Sequence, residues 1–280
     1  LVYLINTVSW YIIIRSGGKP GFSFARLYKF TVTGFALNYV TPVGLMGGEP
    51  YRIMELKPYI GVERATSSVI LYVMMHIFSH FCFWLTSVLL YICLYPVGWG
   101  MGIILGAITI FCLLIALLFI KGYQHGMAVA FVRLGSRLPF LKKKVIHFAE
   151  VHREQLENID QQIALLHRQK KQTFYAALSL EYMARVVSCL EIWLILNVLT
   201  THVSFADCCL IAAFSSLLAN LLFFLPMQLG GREGGFALAV SGLSLSGAYG
   251  VYAALITRVR EMVWIVIGLA LMKVGNKVKE

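Results

Sequence analysis

Long apolar runs are the feature that most constrains the fold of this 280-residue chain. Most of them reach or exceed the roughly 20 residues that a helix needs to cross a bilayer. Charged side chains make up only 13% of the sequence, whereas soluble domains carry about 25%. This composition excludes a soluble enzyme, a disordered chain and a secreted disulfide scaffold, and it predicts an all-α polytopic integral membrane protein. The runs are Leu1–Ile14, Phe22–Thr41, Thr66–Tyr95, Trp99–Ile120, Thr173–Thr200, Phe205–Leu225 and Tyr249–Leu271.

The basic residues predict how the chain is oriented. Lys and Arg number 24 against 13 acids, a net charge of +11, and the segment 121–172 alone holds ten basic residues against four acids. Basic residues of membrane proteins gather on the cytoplasmic side, so we expect this segment and the C-terminal Lys273, Lys277 and Lys279 to be cytoplasmic. We therefore predict a multi-pass protein of the bacterial inner membrane with a cytoplasmic C-terminus. A nucleic-acid partner is not expected.

Two segments interrupt the pattern of spans. Pro42–Ala65 is rich in charges, yet the runs on both sides of it must begin at the cytoplasm. The simplest solution is a re-entrant hairpin around 42–52, because non-helical backbone at membrane depth must be buried in protein or line a wet cavity. The same reasoning predicts an outside-facing hairpin around 226–236. The domain organisation is then a first membrane repeat (1–120), with a truncated N-terminal span, a cytoplasmic amphipathic helical linker (121–172) and a second membrane repeat (173–280).

The two hairpins have matching turn sequences. Each contains an Asn in an apolar run, then a Pro, then a Gly-Gly pair, and a Glu seven residues after the Pro. Pro ends a helix and Gly-Gly allows a close turn. Two such copies predict inverted-topology repeats, which are typical of transporters with a midplane site. The turn residues are Asn38, Pro42, Gly47 and Gly48 in the first copy and Asn220, Pro226, Gly230 and Gly231 in the second.

Charged residues at these turns and inside the spans are the candidate site. A helix that restarts after a turn presents free N–H groups that bind anions such as phosphate, and carboxylates beside it can satisfy those amides when no ligand is present. Charges deep in a span are costly and normally face a bundle interior or a wet cavity. We predict a headgroup cavity formed by Glu49, Arg52, Glu181, Arg185, Arg232, Glu233, Arg258 and Glu261.

Plainer interpretations of the same residues stay open. Glu49 with Arg52, and Glu233 with the adjacent Arg232, can each form a pair that only stabilises its turn. Near the span ends, Glu191 and Arg260 can extend towards the membrane surface. We expect Glu181 and Arg185 to share one helix face, and likewise Arg258 and Glu261.

Other residue types carry weaker signals. His76 and His80 have the i, i+4 spacing of metal ligands, but no third ligand is evident, so a polar wall or a helix contact is preferred. The six cysteines lie in apolar stretches without a C-x-x-C pair and indicate buried apolar positions. No nucleotide-binding or catalytic motif is present, so we expect no metal, no cofactor and no enzyme activity.

The two turn sequences resemble a known family. Gly47-Gly48-Glu49-Pro50-Tyr51-Arg52, together with Pro226 to Glu233, is similar to the two signature stretches of the lysylphosphatidylglycerol synthase transmembrane region family. This is the flippase-like domain of the multiple peptide resistance factor, and the resemblance extends from about Phe22 to Leu271. It implies movement of a polar or charged lipid between leaflets. Members are fused to a lipid aminoacyl-transferase domain or stand alone. The sequence contains no such domain, so lipid aminoacylation is not carried over.

Three functions remain at this point. The first is a flippase for a membrane phospholipid or glycolipid, with a lipid-synthesising enzyme as a possible partner. The second is a secondary transporter of a small anionic metabolite. The third is a membrane-embedded enzyme acting on a lipid-linked substrate, with Glu233 or Glu181 as general base, which the missing nucleophile–base pair weakens.

Overall fold

A computed structural model describes residues 1–41, 47–125, 161, 171–200, 203–222 and 230–273. Every regular element within these ranges is an α-helix, which confirms the all-α class. The helices are α1 (Val2–Ser16), α2 (Phe24–Val40), α3 (Gly48–Ile60), α4 (Val62–Leu94), α5 (Trp99–His125), α6 (Lys171–Leu199), α7 (Phe205–Leu221), α8 (Gly231–Gly242) and α9 (Gly247–Lys273).

Within the described ranges, three helices are long and apolar enough to cross a bilayer: α4, α5 and α6. The shorter α7 is also apolar. α9 is as long as α5, at 27 residues, but Arg258, Arg260 and Glu261 lie near its middle. The chain is therefore an all-α membrane protein, as its composition predicted.

Each half of the chain has its own apolar core. In the N-terminal half, Trp10, Phe30, Leu56 and Met75 bring α1 to α4 together. In the C-terminal half, Leu196, Ile211, Phe236 and Val240 do the same for α6 to α8, and Ala253 and Ala254 add α9. A third core, around Phe81, Trp84, Cys112, Cys189 and Ala213, joins α4 and α5 to α6 and α7.

Helices from the two halves also pack directly on each other. α1 lies along α6, α9 lies along α2, and α4 contacts both α6 and α7. Where α9 crosses α2, Gly268 lies against the backbone of Val32, and the Thr33 hydroxyl donates a hydrogen bond to the Gly268 carbonyl (3.2 Å). A glycine at this crossing allows the two backbones to approach closely, as small residues do in membrane helix contacts.

A similar close contact holds α3 on α2. A Cβ atom on Gly48 would overlap the Gly34 carbonyl, and one on Gly34 would overlap the Arg52 guanidinium. The second glycine of the first motif's Gly-Gly pair, Gly48, is therefore required for the packing of α3 on α2. α8 packs between α7 and α9, where Gly250 lies against the Phe236 backbone.

Most predicted spans match helices, with shifted ends. The run Phe205–Leu225 becomes a helix that ends at Leu221, and Thr66–Tyr95 becomes a longer helix that starts at Val62. Pro42, Pro226, most of the predicted linker 121–172 and the last seven residues lie outside the described residues. The amphipathic linker helix, the C-terminal lysines beyond Lys273 and the predicted topology therefore stay predictions.

Candidate functional site

The first motif joins the end of α2 to the start of α3. The Gly48 amide, one of the free donors of the first helical turn, donates to Asn38 Oδ1 (2.7 Å). The Asn38 Nδ2 donates to Glu49 Oε1 (3.0 Å). We expected Glu49 to satisfy the α3 amides, but Asn38 does so for Gly48 and Glu49 binds Asn38 in turn. We call Asn38, Glu49 and Arg52 the α3 cluster.

Arg52 is the buried cation of the α3 cluster. Its side chain is 6% exposed and donates to Glu49 Oε1 (3.3 Å) and to the Thr31 carbonyl (3.4 Å). The guanidinium lies 5.3 Å from the ring centre of Tyr72 and 5.7 Å from that of Trp10, distances at which cation–π attraction is significant. Among the described residues, the buried atoms Arg52 Nε and Glu49 Oε2 have no hydrogen-bond partner.

The second motif starts α8 with a different arrangement. Gly230 adopts φ +79°, a left-handed conformation that favours glycine. Its amide donates to Glu233 Oε2 (2.9 Å), so here the Glu does satisfy the free amide at the helix start, as expected. The other oxygen of Glu233, Oε1, forms an ion pair with Nη2 of Arg258 in α9 (2.5 Å).

Arg232 does not pair with its neighbour Glu233, which corrects the sequence-based interpretation. Its Nη1 donates to both oxygens of Glu261 in α9 (2.5 and 2.7 Å), and its Nη2 donates to the Thr257 hydroxyl (3.4 Å). Adjacent residues on a helix do not face each other, so Arg232 and Glu233 reach different residues of α9. Arg258 and Glu261 do share a face of α9, as predicted, and both are directed at α8.

Glu191 and Arg260 also belong to this site. They form an ion pair that joins α6 to α9, and Arg260 also contacts Glu261 (3.3 Å). The Arg260 side chain is 39% exposed, so the alternative that both extend towards the membrane surface stays a prediction. In the sequence, the signal that Glu191 and Arg260 belong to the site was their position deep within apolar runs. The α8–α9 cluster comprises Glu191, Arg232, Glu233, Arg258, Arg260 and Glu261.

A third group of polar side chains joins α4 to α6. Glu181 Oε2 lies 2.8 Å from Nδ1 of His76. Arg185, one turn further along α6, donates to the Ser79 hydroxyl (2.7 Å) and to the His76 carbonyl (2.5 Å). Glu181 and Arg185 thus share a face, as predicted, and bind α4. This α4–α6 cluster of His76, Ser79, Glu181 and Arg185 makes His76 a helix-contact residue.

The C-terminal end of α2 brings the two motif clusters together. Asn38 binds Glu49 of the α3 cluster, while the next residue, Tyr39, lies close enough to Glu261 of the α8–α9 cluster to interact with it electrostatically. Tyr72 then lies between Arg52 and His76, 6.4 Å from the His76 ring centre. The three clusters are therefore neighbours. Tyr39 and Tyr72 were missed by sequence reasoning, because an aromatic residue in an apolar run carries no distinguishing signal.

Asn220 differs from its predicted counterpart Asn38. Its Nδ2 donates to the Ser216 carbonyl of its own helix (2.7 Å), so this bond stays within α7. The remaining turn glycines, Gly47 and Gly231, lie at the starts of α3 and α8, as the motif predicted.

The arginines of the site are not free for an anion in this arrangement. Arg52, Arg232 and Arg258 each form an ion pair with a carboxylate, and Arg185 binds a hydroxyl and a carbonyl of α4. Removing one partner of a buried pair leaves an uncompensated charge, so a phosphate could bind Arg52, Arg232 or Arg258 only by exchanging with the paired carboxylate.

Comparison with known proteins agrees with the motifs. The family model described as the lysylphosphatidylglycerol synthase TM region matches residues 1–269. Searches of the curated proteins and of the solved structures found no significant match. The matched range includes all three clusters and both motifs. The chain belongs to the lysylphosphatidylglycerol synthase transmembrane region family.

Proposed function

We propose that this protein is a lipid flippase, which moves a polar or charged phospholipid between the leaflets of the bacterial inner membrane. The observation that carries the proposal is the convergence of both motif clusters on α2, which packs against α3 and α9; at its end Asn38 binds Glu49 and Tyr39 interacts electrostatically with Glu261. Buried charges inside membrane helices are costly and typically serve substrate or ion pathways. A pathway for a headgroup needs such charges at membrane depth.

The lengths of α3 and α8 support the proposed re-entrant hairpins. They contain 13 and 12 residues, which at 1.5 Å per residue gives roughly 20 Å and 18 Å. The hydrocarbon core is about 30 Å thick, so neither helix is long enough to cross it. Each also carries charges that lipid would not accommodate.

The packing of the helices supports the proposed inverted repeat. The contacts of α2 with α3, α3 with α4 and α1 with α2 have counterparts in those of α7 with α8, α8 with α9 and α6 with α7. Between the halves, α2 on α9 corresponds to α7 on α4. A chain built from two equivalent units gives this pattern of paired contacts, and such repeats place binding sites at the repeat interface.

The chemistry we propose is exchange of ion-pair partners. A lipid phosphate binds Arg232 or Arg258 in place of Glu261 or Glu233, and the released carboxylates accept donors of the headgroup. The charges remain compensated throughout, so the headgroup avoids the cost of entering hydrocarbon unpaired. The acyl chains stay in the bilayer. In this scheme the protein has no catalytic group and acts as a transporter.

Reconstituted vesicles provide the test. A fluorescent phospholipid is placed in both leaflets, a membrane-impermeant quencher is added outside, and the loss of fluorescence is followed for anionic, zwitterionic and aminoacylated headgroups. We expect both leaflets to be quenched for at least one headgroup class. Quenching that stops at the outer leaflet for every lipid, as in protein-free vesicles, would contradict the proposal.

Variants connect this assay to the site. Glu233→Gln and Arg258→Gln each remove one charge of an ion pair between α8 and α9, and both should slow translocation. Glu63→Gln is the matched control, because Glu63 is an exposed carboxylate in the first turn of α4. If all three variants translocate lipid at the wild-type rate, the α8–α9 pair only stabilises the turn.

A further inference from the structure

The contact between His76 and Glu181 is chemically unlike the other ion pairs of the site. The carboxylates of the α3 and α8–α9 clusters pair with arginine, which stays charged at any physiological pH. Histidine is the side chain whose charge ordinarily changes between about pH 5 and 8. This contact therefore holds a partner that can gain or lose a proton while the arginine pairs stay fixed.

His76 and Glu181 differ greatly in the exposed fraction of their side chains. The Glu181 side chain is 1% exposed, whereas that of His76 is 43% exposed. The separation between His76 Nδ1 and Glu181 Oε2 is 2.8 Å, which is short enough for direct proton transfer. His76 thus connects the outside of the packed helices with a carboxylate that is otherwise enclosed by protein.

Two buried polar atoms around this contact lack a hydrogen-bond partner within the described ranges. Glu181 Oε1 has no hydrogen-bond partner among the described residues, and neither does Nδ1 of His80, one turn along α4. Buried polar atoms are nearly always hydrogen-bonded, and exceptions call for a functional or ligand-based reason. An orphaned carboxylate oxygen beside an imidazole has spare capacity for a proton or a donor group of a ligand.

The surrounding ionisable groups are otherwise balanced. Those around the pair are Tyr72, His80 and Cys82 on α4, Arg185 on α6, and Glu49 and Arg52 on α3. α1 contributes Trp10, stacked on Tyr72, which does not ionise. The thiols of Cys112 on α5 and Cys209 on α7 belong to the core around Phe81 and Trp84. With neutral histidines the two arginines balance the two carboxylates, so one added proton leaves a single positive charge.

We propose that His76 and Glu181 form a proton-binding site whose proton is taken up together with an anionic lipid headgroup. This rests on the proposed function and names its coupling ion. The proton makes the α4–α6 cluster positive, and a phosphate restores neutrality. Because binding free energies are reciprocal, the headgroup must in turn strengthen proton binding. The backbone carbonyl of His76 also holds Arg185, so both charged groups of α6 contact the same turn of α4.

The experiment measures lipid and protons in the same vesicles. Protein is reconstituted with a fluorescent anionic phospholipid and a pH-sensitive dye in the lumen, and both signals are recorded from about pH 5 to 8. We expect lipid translocation to be accompanied by proton movement and to depend on pH. His76→Gln, which keeps a donor towards Glu181, should abolish the proton signal and flatten the pH profile. Glu181→Gln should do the same.

His80→Gln is the matched comparison, one helical turn away on α4. It should retain the proton signal, and loss of the signal in this variant with retention in His76→Gln would overturn the assignment. Translocation by the wild type without proton movement, at a rate independent of pH, would overturn the coupling but leave the flippase intact. Absence of translocation for every lipid would overturn the proposed function and the coupling with it. Elution as a single species in detergent checks that each variant is folded.

Discussion

The two glycine-containing motifs hold their charges in different ways. In the first, Arg52 binds Glu49 three residues earlier on its own helix, and Asn38 of α2 completes the group. In the second, Arg232 forms an ion pair with Glu261 of α9, and Glu233 forms one with Arg258 of α9. Similar sequences thus give one pairing within a helix and one between helices.

The neighbouring helix explains this difference. α3 lies so close to α2 that Gly48 touches Gly34, and Arg52 is surrounded by aromatic rings and backbone carbonyls. α9 instead presents Thr257, Arg258 and Glu261 on the face that meets α8. The motif therefore predicts where a helix restarts and where charge is placed, whereas the partner helix decides which charges pair.

The largest effect should follow from removing Glu261. This carboxylate holds Arg232 through both oxygens and also contacts Arg260. Glu261→Ala leaves buried arginine without its partner, a change that costs about 3–5 kcal/mol. Chemical denaturation in detergent micelles should report a loss of that size. A loss below about 1 kcal/mol, the scale of an exposed pair, would mean that the α8–α9 pairing contributes little to the fold.

The next effect tests the close contact of the first motif. Gly48→Ala places a methyl group against the Gly34 carbonyl, and overpacking of this kind typically costs about 1–3 kcal/mol. Gly234→Ala in α8 is the matched control, since a Cβ there meets nothing within 4 Å. In a helix that substitution should be neutral or stabilising by about 0.4–1 kcal/mol. Equal destabilisation of both variants would show that the two motifs do not differ in packing.

The smallest expected effect is the difference in stability loss between substitutions of the two asparagines, Asn38 and Asn220. Asn38→Ala removes a hydrogen bond to the Gly48 amide and one to Glu49, and loss of such a helix cap costs about 0.5–2 kcal/mol. Asn220→Ala removes a bond to the carbonyl of its own helix at an exposed position and should cost less than about 0.5 kcal/mol. Thermal unfolding of the pair in the same detergent would measure the difference, and a larger loss for Asn220→Ala would reverse the comparison.

Sequence reasoning identified the helices and the charged positions because both leave strong local signals. A long apolar run predicts α4 or α6, and a charge inside such a run, like Glu181 or Arg258, stands out against it. Pairing partners were less predictable. Whether Arg232 meets Glu233 or Glu261 depends on the rotation of α8 against α9, which no local pattern encodes.

The same limit applies to residues without a local signal. The i, i+4 spacing of His76 and His80 was visible, but the partner of His76 lies on α6, 105 positions along the chain. Trp10 and Tyr72, which enclose the Arg52 guanidinium, resemble any other aromatic residue in a membrane span. Contacts over such sequence distances arise only when the helices are packed.

In the proposed mechanism the buried charges serve the headgroup as well as the fold, and a double variant separates the two roles. Arg232→Met with Glu261→Met replaces the pair by apolar side chains of similar volume, a change that is often neutral or stabilising. Its rate of lipid translocation in vesicles is the measurement. A stable variant that translocates about tenfold more slowly or worse is the expected result, because the headgroup loses its counter-charges in the membrane. A stable variant that translocates at the wild-type rate would contradict the account.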